Sequence, residues 1–83
     1  MKLVYFAWVR QKVGRSEEIV DPPSSVRTAG DLVAWLVTCG AGYAEALADL
    51  KRVRVAINQE HANLAAPVEA GDEVAFFPPV TGG

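Results

Sequence analysis

The chain has 83 residues, 51% of them hydrophobic and 22% charged, which suits one small core and argues against a disordered segment. Its formal charge is −2, from 8 Lys and Arg against 10 Asp and Glu, and no basic run or stripe offers a grip on nucleic-acid phosphates. The single cysteine, Cys39, excludes an internal disulfide framework and a paired-cysteine metal site, so no metal is expected.

Residues 2–10 are rich in aromatic and β-branched side chains and lack Gly and Pro, which predicts a strand. This apolar stretch is too short to span a membrane and no small-residue cleavage site follows it, so a cytoplasmic protein without a membrane partner is expected. Residues 11–15, with Gly14, predict a turn. Residues 17–21 predict a short return strand, stopped by Pro22 and Pro23, which cannot donate to a ladder. Thr28 and Asp31 have the spacing of a capping box. The apolar run at residues 32–37 then predicts one well-buried helix, with Gly40 and Gly42 as its stop. Residues 43–50 suit a second short helical segment.

Residues 53–58 alternate as a half-buried strand does, and Asn58 and Gln59 begin a turn. Residues 61–66 suggest a brief edge strand. Ala70, Gly71 and Asp72 turn the chain into a last strand at residues 73–77, which Pro78 and Pro79 end. A hairpin, a helix and further strands imply an α+β domain. The expectation is a mixed sheet of about four to five strands with one main helix on one face. The β-grasp arrangement, with the first and last strands central and parallel, satisfies this order. One domain over residues 1–83 is expected, with 78–83 as a flexible tail.

Few side chains suggest catalysis, since no nucleophile–base pair is recognisable. The chain's end is more informative. Two prolines favour extended geometry, and residues 80–83 can reach about 13 Å at roughly 3.3 Å per residue. Gly82 and Gly83 lack a Cβ and can enter a channel too narrow for side chains. A frayed terminus is the plain alternative.

The run Gly71-Asp72-Glu73-Val74-Ala75-Phe76-Phe77-Pro78-Pro79-Val80-Thr81-Gly82-Gly83 resembles the C-terminus of the molybdopterin synthase small-subunit (MoaD) family, one of the MoaD/ThiS ubiquitin-like sulfur carriers. Val55-Ala56-Ile57-Asn58-Gln59 is similar to that family's central strand and turn. The opening Val4-Tyr5-Phe6-Ala7-Trp8-Val9-Arg10, with Gly14, is similar to its first strand and turn. Thiamine-pathway sulfur carriers share the Gly-Gly but usually not the Phe-Phe-Pro-Pro segment.

The resemblance implies the β-grasp fold and a carrier role in molybdenum cofactor biosynthesis. The terminal carboxylate, here on Gly83 after Gly82, is adenylated with ATP by an activating enzyme related to ubiquitin-activating enzymes (MoeB-like). A sulfur donor system then makes a thiocarboxylate. Docking on a large subunit (MoaE-like) in a heterotetrameric synthase lets the tail give sulfur to cyclic pyranopterin monophosphate, forming the molybdopterin dithiolene. The chain would be no enzyme by itself and would hold no cofactor stably. A ubiquitin-like sulfur carrier for thiamine or another pathway, and a ubiquitin-like interaction module with a tail that is inert or joined to lysine, stay open as other readings.

Alternation along the first strand places Phe6 and Trp8 with Phe77 on the sheet face away from the helix, near the tail. An exposed aromatic patch there, continuing into Pro78, Pro79, Val80 and Thr81, suits a partner interface. Burial of both sheet faces is the alternative. Cys39 reads as a structural thiol rather than a sulfur relay, His61 as a surface residue, and Trp35 as core. Asp72 and Glu73 read as solvated, and Asn58 and Gln59 as turn residues.

Overall fold

In a computed structural model, which describes residues 1–79, the first strand ends early. β1 covers Lys2–Tyr5, and helix α1 covers Ala7–Val13. The chain leaves the extended region at Ala7, whose φ is +53°. The strand predicted over residues 2–10 is therefore corrected, and so is the turn at 11–15. Trp8, Val9 and Val13 look alike to a strand or a helix, because all three are bulky and apolar. In the fold, Val9 is fully buried and the other two pack against the core, so tertiary contacts override strand propensity. Gly14 closes α1 in the left-handed region at φ +93°, its N–H donating to the Arg10 carbonyl at 2.8 Å.

β2 (Glu17–Ile19) returns antiparallel to β1. The capping box forms as the spacing predicts: the Asp31 N–H donates to Thr28 Oγ1 at 3.1 Å, and the Thr28 N–H donates to Asp31 Oδ2 at 3.2 Å. It starts α2 (Ala29–Val37), which buries Leu32, Val33 and Leu36. The glycine stop is corrected: α2 ends at Thr38, Gly40 caps the start of α3 (Ala41–Leu47), and Gly42 lies inside α3. A short 3-10 turn, Leu50–Arg52, leads into β3 (Arg54–Ile57).

Asn58 and Gln59, at φ +51° and +69°, connect β3 to β4 (Glu60–Ala62), as a two-residue hairpin with left-handed central residues requires. β5 (Glu73–Phe77) completes a five-stranded sheet ordered β2-β1-β5-β3-β4. β1 and β5 are central and parallel, with Tyr5 opposite Phe76, and β3 runs antiparallel to β5. This is the β-grasp arrangement, with three α-helices among the described residues rather than one main helix and a short segment. Leu3, Tyr5, Val55, Val74 and Phe76 form the sheet's side of the core under the helices. The other sheet face carries the candidate site.

Candidate functional site

Strand register arranges the open face in rows, because paired residues raise side chains on the same side. One row crosses four strands as Val4, Ala75, Ala56 and His61. Its two alanines make a low floor. Phe77 lies one step further along β5 toward the tail. Phe6 extends the ladder beside it, donating its N–H to the Phe76 carbonyl at 3.1 Å. His61 meets Phe77 edge-on, with ring centroids 5.3 Å apart at 75°. The result is an open concavity of about 520 Å³, lined by Val4, Phe6, Ala56, Ala75, Phe77 and His61, with Gln59 and Glu73 at its polar rim.

Phe6 is 50% exposed and Phe77 half-buried, so both are accessible from this side. Trp8 does not join them: α1 carries it to the helical layer, where the Arg52 guanidinium sits 5.1 Å from its ring centroid. The placement of Trp8 on the open face is corrected, since the strand that would have put it there stops at Tyr5. Pro78 and Pro79 follow β5 and are half-buried. Val80, Thr81, Gly82 and Gly83 lie outside the described residues.

The far end of the face is electrostatically closed. Lys2 Nζ lies 3.6 Å from a Glu17 oxygen and 3.8 Å from a Glu73 oxygen. Behind the sheet, Glu18 Oε2 accepts the hydroxyls of Tyr5 (2.7 Å) and Tyr43 (2.6 Å), while Arg15 donates to Oε1 at 3.2 Å. Burial, and then the Glu18 carboxylate, push both tyrosines above the ordinary phenol range. This network ties α3 to β1 and β2, and it holds the frame rather than the site.

Cys39 is exposed, with its thiol donating to the Trp35 carbonyl at 3.4 Å, and Trp35 packs half-buried against the core. Asn58 bridges Asp72 and the Glu73 N–H, both at 3.0 Å, and so anchors the hairpin to the start of β5. Among the described residues, no three His, Cys, Asp or Glu side chains group as metal ligands, and no helix is long and apolar enough to cross a membrane. The alanine floor and the part played by His61 escape a reading of single strands. Only the register across β1, β5, β3 and β4 puts those residues in one row.

A profile described as the ThiS family matches residues 3–83. The molybdopterin synthase sulfur carrier subunit of Escherichia coli K12 is 37% identical over 83 residues, spanning 100% of this chain and 99% of the relative. Its namesake from Haemophilus influenzae is 36% identical over the same spans. Among solved structures, small archaeal modifier protein 1 of Haloferax volcanii superposes with a TM-score of 0.74 at 33% identity, covering 100% of this chain and 98% of that one. With its match running nearly end to end, the chain belongs to the ThiS family.

Proposed function

We propose that the chain is the sulfur-carrier subunit of molybdopterin synthase. The observation that carries this reading is the 37% identity to a carrier subunit over 83 residues, at nearly equal length. The geometry supports it: β5 ends at Phe77 beside an accessible apolar concavity, immediately before the Pro-Pro-Val-Thr-Gly-Gly end.

Reactivity then belongs to the Gly83 carboxylate. A free carboxylate is a poor electrophile, since it is anionic and its leaving group is oxide. An activating enzyme uses ATP to convert it to an acyl-adenylate, with pyrophosphate leaving. A sulfide equivalent from the donor system attacks the acyl carbon and AMP departs, leaving a thiocarboxylate. Docking through Phe6, Phe77 and the concavity makes sulfur attack on cyclic pyranopterin monophosphate effectively intramolecular. The acids, bases and phosphate-binding groups are supplied by the large subunit and the activating enzyme. ATP serves that enzyme and is no resident cofactor here.

Replacing Gly82 and Gly83 with bulky residues tests the reading. Dithiolene formation should cease in a reconstituted synthase while the domain's melting temperature is unchanged. Normal turnover would contradict it.

A second reading rests on the likeness to a protein named a modifier. In it the activated Gly83 passes to a lysine amine instead of to sulfur. The products separate the readings, since one ends in an isopeptide bond and the other in a thiocarboxylate.

A further inference from the structure

Arg54 stands directly across the β3·β5 ladder from Phe77. Paired strand residues raise their side chains on the same face, so its guanidinium belongs to the concavity's face, at the root of the tail. Arg54 is exposed, and among the described residues it takes part in none of the ion pairs. The opposite end differs, because Lys2 already answers Glu17 and Glu73 there. Among the described residues the face is therefore electrically polarised, from an unpaired cation beside Phe77, across an apolar hollow, to a Lys2, Glu17 and Glu73 cluster in which two carboxylates share one ammonium.

We infer that this face fits a partner surface presenting an apolar side chain to the alanine-floored hollow with a carboxylate beside it that pairs with Arg54. The inference rests on the proposed docking to the large subunit and adds the chemistry and orientation of that contact. An apolar partner covering Phe77 would strip water from the adjacent guanidinium, which is costly without an acceptor. A carboxylate meets the planar guanidinium with two parallel hydrogen bonds, and that fork fixes direction as well as charge. A partner turned end for end would place its acid over Glu17 and Glu73 and be repelled.

The test titrates the full chain against the molybdopterin synthase large subunit of the same organism, at low and high NaCl. Arg54→Glu should weaken binding about tenfold or more at low salt, through faster dissociation as well as slower association, with the difference shrinking as salt rises. Arg54→Leu should flatten the salt dependence, and Arg54→Lys should retain it. Melting curves of all three should match the wild type, since Arg54 is solvent-facing. Wild-type binding with Arg54→Glu and Arg54→Leu both unchanged in affinity and salt slope overturns the inference alone. No wild-type binding at all removes the docking reading and the inference together. A dimer of the free chain that Arg54→Glu dissociates assigns the face to a second copy and also overturns it.

Discussion

Gly42 approaches the Lys12 carbonyl so closely that a Cβ at that position would stand 2.7 Å from the oxygen. This contact joins α3 to the C-terminal turn of α1, and the bare Cα permits it. Helix propensity alone favours Gly42→Ala by about 1 kcal/mol. The clash with main chain should reverse that sign and destabilise the domain by about 1–3 kcal/mol. Urea unfolding decides between the two, and a stabilised variant would mean that α1 moves away freely.

Phe76 and Phe77 are neighbours with opposite duties. Phe76 is fully buried and stacks on Tyr5 with centroids 5.9 Å apart, so Phe76→Ala should cost about 3–5 kcal/mol. That approaches the whole stability of a small domain. Phe77 faces the open concavity, so Phe77→Ala should cost far less, on the order of 1 kcal/mol. It should nevertheless weaken large-subunit binding about tenfold or more. Calorimetric titration paired with thermal melts checks both halves, and unchanged affinity would remove the concavity from the interface.

Alkaline stability reports on the Glu18 network. Tyr5 is held above the ordinary phenol range by burial first and by the Glu18 carboxylate second. The folded chain therefore keeps a proton that the unfolded chain releases near pH 10. Stability from this source is complete below about pH 10 and is lost as pH rises beyond it. Tyr43 acts in the same direction. Melting temperature should fall across the alkaline range, and Tyr5→Phe should shallow that fall while costing about 1 kcal/mol at neutral pH. An identical alkaline slope in the variant would contradict this.

The acid side reports on the cap of α2. Asp31 is held below the ordinary carboxylate range by the Arg27 N–H first, with the Thr28 N–H and hydroxyl adding to it. A lowered pKa gives stability that is present above the unfolded value and lost as pH falls through the folded one. Thr28→Ala should lower the melting temperature by several degrees at neutral pH. Asp31→Asn should flatten the decline below about pH 4, measured by circular dichroism.

The outer frame was legible because its signals are local. The capping box needs only Thr28 and Asp31. β3 and β5 alternate and end at turn residues, and their order admits the parallel centre that the β1·β5 register establishes. α1 was not legible, since Trp8, Val9 and Val13 serve a strand or a helix equally well, and the core that selects the helix is built by distant residues. Gly42 looked like a helix stop because its close neighbour is Lys12, thirty positions earlier in the chain. Phe6 and Phe77 were found by alternation. Ala56, Ala75, His61 and Arg54 join them only through interstrand register.

The central claim is that chemistry resides on the Gly83 main-chain carboxylate. The most direct measurement is intact-protein mass spectrometry after incubation with ATP, the activating enzyme and a sulfur source, with fragmentation to locate the change. The expected result is the mass gained when one oxygen is replaced by sulfur, confined to Gly83 and absent when ATP is omitted. An unmodified Gly83 under conditions that thiocarboxylate a known carrier, or sulfur found instead on Cys39, would contradict it.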